Sequence, residues 1–309
     1  MPLRSSSLRR ARPLLGTFVE IRVDGNPRIL SAAVDQAFAA IARVHRLMSF
    51  HDPESDVSRL NQEAYRQPVR IDPQTWAVLD RARCISETSN GAFDITVAPR
   101  LVQWGYLPES ILPLPALKPN GYRAIELLTQ HHVRFCEPAL IDLGGIAKGY
   151  AVDVACVALE RLGVRDYVVN AGGDLRVGGT AATIHIRHPR RPTTTLVLGT
   201  IRSGAVATSS AYFARKSRHD GEVHPIVAPT TTAPAQYRGS ISVRAADCMT
   251  ADALTKVVAV LGTSVAPTLQ RLGAEAFLLS KAGEWRRLPD GVKSSNRQIE
   301  RDARMIAGS

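Results

Sequence analysis

The stretch "DYVVNAGGDLRVGG", residues 166–179, decides how the strands of this chain are joined. Val168 and Val169 precede a short Asn170-Ala171-Gly172-Gly173-Asp174 segment, and Leu175 and Val177 follow it. Paired glycines between two β-rich arms allow a hairpin or a bulge, so the arms read as antiparallel neighbours. The same glycines would also let a ligand approach the backbone closely.

Outward from this segment, "IAKGYAVDVACVALERLG" (146–163) predicts a helix that stops at Gly163. Downstream, "ATIHIRH" (182–188), "TTLVLGTI" (194–201), "SISVRAA" (240–246) and "EAFLLS" (275–280) predict strands. A helix is expected over 251–261, capped by Thr250, and a short one before Gly273. Nearer the start, "FVEIRV" (18–23) alternates as a strand. Leu30, Val34, Phe38, Ile41, Val44 and Met48 recur every three or four residues and predict a helix from Pro27 to Met48. Asp72 and Pro73 read as the cap and first residue of another helix ending near 89–91. Runs of helices alternate with runs of strands without a regular βαβ rhythm, so the expected class is α+β, with mainly antiparallel sheets flanked by helices. Two Pro-rich stretches, 108–121 and 228–239, read as loops.

The 309 residues, 45% hydrophobic and 22% charged, are enough for a sizeable core and match a soluble globular chain. The formal charge of +11 is dispersed apart from "LRRAR" (8–12) and a looser basic stretch near the end. Without interleaved aromatics, that charge favours a bland basic surface or an anionic small substrate over nucleic-acid binding. Cys84, Cys136, Cys156 and Cys248 lie far apart with no CxxC pair, so buried free thiols in a reducing compartment are expected. Arg9, Arg10, Arg12 and Pro13 interrupt the first apolar residues, the first cysteine comes at 84, and no window approaches the roughly 20 apolar residues of a membrane span. A cytoplasmic location without a membrane span is the expectation.

Several segments carry chemistry. "IDLGGIAKGYAVD" (141–153) puts Asp142, two glycines and Lys148 at a helix mouth, which suits a phosphate or tight strand-to-helix packing. "NGAFDITVAPRLVQWG" (90–105) holds Phe93, Asp94 and Trp104 beside turn residues, where core packing is the plainer reading. "VATSSAYFA" (206–214) is a hydroxyl cluster without a nucleophile elbow. His51 and His224 lie in polar, turn-like surroundings, as exposed loop histidines also do. In "MTADALTKVV" (249–258), Asp252 and the Thr255 hydroxyl share a helix face and suit Mg²⁺, while Lys256 could offset a phosphate charge or pair with Asp252.

Taken in order, these words and "LLGT" (14–17), "MSFHDPESDVSRLN" (48–61), "HPIVAP" (224–229) and "ADALTKVVAVLG" (251–262) make the chain resemble the ApbE family from about Leu14 to Ser280. The resemblance implies an ApbE-like fold over 14–285, preceded by a basic extension (1–13) and followed by a polar tail (286–309). It also implies an enzyme that binds FAD, cleaves its pyrophosphate with Mg²⁺ and passes FMN to a Thr or Ser hydroxyl of an acceptor flavoprotein, releasing AMP. By this resemblance Leu15, His51, Ala92, Phe93, Asp94, Asp142, Lys148 and Ile226 would contact FAD. Gly145, through its carbonyl, Asp252 and Thr255 would hold the metal, and His224 and Lys256 would serve catalysis. Family members usually carry Thr four residues after the metal Asp; this chain carries Lys256 there. Thr208-Ser209-Ser210 and Ala228-Pro229-Thr230 also depart from the family's Thr-Ser-Gly and Asp-Pro-x-Thr-Gly. These departures leave an FAD-binding protein, or an FAD pyrophosphatase without protein transfer, as the alternative.

Overall fold

The computed structural model describes residues 6–109, 114–116, 118–191, 193–210, 214–219, 221–237 and 239–289. Strands β1 (Ser6–Leu14) and β2 (Thr17–Gly25) come first, then α1 (Pro27–Met48), α2 (Asp56–Glu63), β3 (Val69–Arg70) and α3 (Pro73–Thr88). Short pieces α4 (Ala98–Gln103), β4 (Ile125–Leu127) and β5 (His132–Phe135) lead to α5 (Ala147–Arg161). There follow β6 (Asp166–Ala171), β7 (Asp174–Gly178), β8 (Ala182–Arg187), β9 (Thr195–Ile201), β10 (Gly204–Ser210), β11 (Lys216–Arg218), β12 (Gly221–Val223) and β13 (Ser240–Ala245). The last elements are α6 (Cys248–Leu261), α7 (Ala266–Arg271), β14 (Glu275–Leu279) and β15 (Trp285–Leu288).

The fold is α+β. One eight-stranded sheet runs β1-β2-β6-β7-β10-β13-β14-β15, and every pair in it is antiparallel. The Gly172–Gly173 pair makes the hairpin expected of it. Ala171 pairs with Asp174 across a two-residue turn in which both glycines have positive φ, +65° and +106°. A side chain at Gly172 would also meet Thr17 Oγ1 at 2.6 Å, so only glycine lets this turn sit against the β1–β2 hairpin.

Strand alternation then sorts the two faces. Tyr167, Val169 and Ala171 of β6, Ala205 and Ala207 of β10, and Ile241, Val243 and Ala245 of β13 join the main core with α1, α5 and α6. The intervening Val168, Leu175, Val177 and Val206 meet Ala182, Ile184 and Ile201 of the β8–β9 hairpin on the other face. Residues in phase with the helix face, among them Asp174, Arg176 and Ser209, are therefore delivered to the helices rather than to the hairpin.

The helix signals translate directly. α1 runs from Pro27 to Met48, buries all six residues of its predicted stripe and is capped by Asn26, whose Oδ1 accepts the Arg28 N–H at 3.1 Å. Asp72 caps α3 through Gln74 N at 2.9 Å. Three expectations are corrected. The basic N-terminal extension contains β1, whose residues 6–14 pair with β2 at one sheet edge, because an edge strand needs backbone partners and little side-chain burial. α6 starts at Cys248, capped by Asp247, whose Oδ1 accepts the Thr250 N–H at 2.7 Å; Thr250 lies inside the helix. The polar tail supplies Arg286–Leu288 to β15, the other edge; from residue 290 on it lies outside the described residues, as do residues 1–5. Cys136 is exposed and Cys84 half-buried, while Cys156 and Cys248 are buried as expected. Cys248–Arg271 is apolar and long enough to cross a membrane by composition, but most of it is buried in the core as α6 and α7.

Candidate active site

The site is built where the first turns of α5 and α6 cross. An α-helix leaves its first N–H groups without intrahelical partners, and here each helix caps the other with a buried carboxylate. Asp153 of α5 accepts the N–H groups of Cys248 at 3.0 Å and Met249 at 2.8 Å. Asp252 of α6 accepts the Gly149 N–H at 3.1 Å. The approach requires Gly149, because a Cβ there would stand 2.2 Å from the Cys248 carbonyl oxygen.

Two lysines complete the cluster. Lys148 Nζ donates to Asp174 Oδ2 at 2.6 Å and reaches Asp252 Oδ2 at 3.5 Å. Lys256, one turn after Asp252, donates to its Oδ1 and to its main-chain oxygen, the latter at 3.1 Å. Both lysines reach a cavity of about 350 Å³, whereas Asp252 is wholly buried beneath them. Burial alone would push Asp252 up, but Lys148 and Lys256 outweigh it and hold the carboxyl below its ordinary value. Asp174 is pushed up by burial and by the charge of Asp252. Burial opposes the charge on Lys148, yet Asp174 and Asp252 keep it more firmly protonated than a free lysine.

The rest of the cavity wall is largely apolar. Ala92, Phe93, Leu101, Tyr106, Leu107 and Ile226 line it, together with Asp142, Gly144, Gly145, Ser209 and Ser210. Asp94 also faces it, but its oxygens hold its own loop together: Oδ1 accepts from Thr96 N at 2.9 Å and Thr96 Oγ1 at 2.7 Å, and Oδ2 from Tyr122 N at 3.1 Å. Burial raises Asp142 despite the Gly144 N–H and the nearby His51, Lys148 and Lys256. Such a room, with apolar side chains and two ammonium groups in its wall, suits a planar ring carrying phosphates.

A family model described as the ApbE family matches residues 15–278. The chain belongs to the ApbE family. Over 272 residues it is 31% identical to a Vibrio cholerae protein named FAD:protein FMN transferase, covering 81% of this chain and 80% of that one. A Haemophilus influenzae protein of the same name is 30% identical, over 80% and 79% of the two chains. The crystal structure of the ApbE protein from Thermotoga maritima matches with a TM-score of 0.81 at 28% identity, covering 91% of this chain and 97% of that one.

Of the residues that the ApbE resemblance singled out, Ala92, Phe93, Asp94, Asp142, Gly145, Lys148, Ile226 and Lys256 line the one cavity, with Asp252 directly beneath. Leu15, His51, His224 and Thr255 do not line it. Leu15 sits at φ +56° in the β1–β2 turn, half-buried against the core. His51 is exposed and lines a separate cavity of about 400 Å³ with Phe50, Pro53 and Asn61. His224, expected in a polar turn, is fully buried behind the Pro225–Val227 wall: its Nε2 lies 2.8 Å from Ala235 O, and its Nδ1 accepts from Ile226 N at 3.3 Å. Thr255 is buried too, donating to Asp252 O at 2.7 Å with Ser209 Oγ at 2.8 Å.

Four contributors escaped the sequence reading. Asp174 is the ion-pair partner of Lys148. Asp153 accepts the first two N–H groups of α6, beside the Asp247 cap, and Arg176 pairs with it at 2.7 Å. Asn61 clamps the main chain beside Asp142, accepting from Ile141 N at 2.8 Å and donating to Ile141 O at 3.0 Å. All four stand in stretches that carry motifs, Asp174 and Arg176 in "DYVVNAGGDLRVGG", Asp153 in "IDLGGIAKGYAVD" and Asn61 in "MSFHDPESDVSRLN", but their partners lie far away in sequence.

Proposed function

We propose that this chain binds FAD in the α5–α6 cavity and transfers its FMN half to a Thr or Ser hydroxyl of an acceptor flavoprotein. The observation that carries the reading is that Lys148 and Lys256 line one cavity together with Phe93, Ala92 and Ile226. The flavin lies against the apolar side chains, and the pyrophosphate against the lysines and the Gly144–Gly145 backbone. In the transfer, the acceptor oxygen forms a bond to the phosphorus of the FMN half, and the bridging P–O bond to the other phosphate breaks. AMP leaves with the electron pair, and the hydroxyl proton passes to base or solvent. Phosphoryl-type transfer asks a protein mainly for positioning and charge stabilisation, which fixed ammonium groups supply. The Lys148–Asp174 and Lys256–Asp252 pairs hold those groups in place.

Mg²⁺, which the ApbE resemblance implies, does not fit the residues as they stand. Both carboxylate oxygens of Asp252 are engaged, and Lys256 occupies the side of Oδ1 that faces the cavity. Among the described residues no three His, Cys, Asp or Glu side chains gather as a metal site. The transfer is therefore proposed with no step through a metal.

The second reading is FAD cleavage by water without protein transfer. It is favoured by His224, whose ring nitrogens both face main-chain groups rather than an incoming hydroxyl. Incubating the protein with FAD and a flavoprotein acceptor separates the two. A flavin-phosphate mass increment on one acceptor hydroxyl supports transfer; free FMN and AMP with an unmodified acceptor supports hydrolysis.

A further inference from the structure

We infer that the Lys256 ammonium takes the place of a divalent metal ion at Asp252, so that this chain engages the FAD pyrophosphate without Mg²⁺. The inference rests on FAD being the ligand of the cavity. Asp252 is wholly buried and does not reach the cavity wall; Lys256 does. With its side chain 19% exposed, Lys256 bridges the two, its Nζ on both the carboxylate and the main-chain oxygen of Asp252. Its stem packs beside Gly145, where a Cβ would stand 3.6 Å from Cε. That is the residue whose carbonyl the resemblance would give to a metal. An ammonium has three N–H donors; two are directed to Asp252, which leaves one for a phosphate oxygen.

Thr255 offers no substitute ligand. Thr255 itself does not line the cavity: its buried hydroxyl donates to Asp252 O and lies 2.8 Å from the Oγ of Ser209, which does. Mg²⁺ demands near-octahedral oxygen coordination at about 2.1 Å, and the ammonium on Oδ1 stands where such an ion would bind. The lysine is held by the α-helical i,i+4 spacing, so the cation arrives with the fold rather than from solution.

The test measures FAD affinity of the full-length protein by flavin fluorescence, in chelator and in millimolar Mg²⁺, and Mn²⁺ uptake by the FAD-loaded protein by electron paramagnetic resonance. The inference expects the parent's Kd for FAD to differ by less than about threefold between the two buffers, with no Mn²⁺ taken up. Lys256→Thr should bind FAD about tenfold more weakly in chelator, a loss of about 1.4 kcal/mol, and regain affinity with Mg²⁺. Lys256→Arg, which keeps a cation, should stay indifferent to the metal. FAD binding by the parent that needs Mg²⁺, one Mn²⁺ bound by the loaded parent, or a Lys256→Thr protein equal to the parent in chelator would each overturn the inference and leave the FAD reading standing. The Mn²⁺ measurement on the parent decides the matter even where a variant does not fold. A parent that binds no FAD in either buffer would strike down the FAD reading itself, and this inference with it.

Discussion

Lys148 Nζ stands 2.6 Å from Asp174 Oδ2, joining the start of α5 to the first residue after the Gly172–Gly173 turn. Asp174 is 3% exposed, so its charge depends on that ammonium. Removing one member of a buried pair leaves an uncompensated charge, which costs about 3–5 kcal/mol. Because the Lys148 side chain is 31% exposed, Lys148→Met is expected near the lower end, about 3 kcal/mol in urea unfolding. Adding Asp174→Asn should recover part of that loss, and additive costs in the double-mutant cycle would show that the two residues are not coupled.

Asp153→Asn should loosen the start of α6 specifically. The carboxylate accepts two orphan N–H groups and the Arg176 guanidinium, whereas an amide oxygen offers a weaker acceptor and its NH₂ faces donors. A loss of about 1–2 kcal/mol is expected in thermal melting, the size of a lost helix cap. Faster hydrogen exchange confined to the amides of Cys248 and Met249 would mark the cause as capping rather than general loosening.

Gly149→Ala tests the crossing itself. The added methyl would meet main-chain atoms at 2.2 and 2.6 Å, neither of which is a flexible side-chain end. The two helices must part, at a cost of about 3 kcal/mol or more, and the Gly149 N–H leaves Asp252. A variant that melts like the parent and keeps its FAD affinity would show that the helices are not pinned at this point.

The acid limb of stability should report Asp252. Its folded pKa lies below the ordinary value of 3.8, so its contribution is present above that value and is lost as pH falls through the folded pKa. The stability gap between the parent and Asp252→Asn should be constant near neutral pH and shrink as the pH falls below about 4. A gap that widened on acidification would reverse the sign and contradict the two-lysine environment.

Thiol reactivity should follow burial. Cys156 and Cys248 are buried and their thiols pushed up by desolvation, whereas Cys136 is exposed, raised more modestly through its hydrogen bond with Glu126. In the native protein an aromatic disulfide reagent should label Cys136 first and leave Cys156 and Cys248 untouched until denaturant is added. Early labelling of Cys248 would mean that the α5–α6 crossing opens on the timescale of the reaction.

Much of this architecture was legible in the residues. The α1 stripe, the Asp72-Pro73 start of α3 and the glycine hairpin each follow from local chemistry, and the structure places them where that chemistry puts them. β1 was not legible, because "SSLRRARPL" owes its strand to hydrogen bonds with β2 rather than to an apolar face. Asp247 and Thr250 are both good caps in sequence, and only the backbone angles choose Asp247. At the site, one turn of helix related Asp252 to Lys256 in sequence, but Asp174 lies 26 residues from Lys148 and meets it only through strand phase. His224 shows the converse. Its neighbours suggested exposure, and a pair of main-chain groups draws its ring into the core instead.

The two ends of the large sheet have a bearing on how the molecules behave in a crowd. Among the described residues, β1 and β15 are the strands of this sheet with an open side, and an open strand invites a neighbouring molecule to add its own. Arg9, Arg10 and Arg12 stud one and Arg286 and Arg287 the other, several of them tied to Glu20, Asp35 or Glu275. Adding a copy's edge strand to either one would crowd like charges and strip water from guanidinium groups. Part of the excess positive charge is thereby placed where it opposes edge-to-edge association of concentrated copies of the protein.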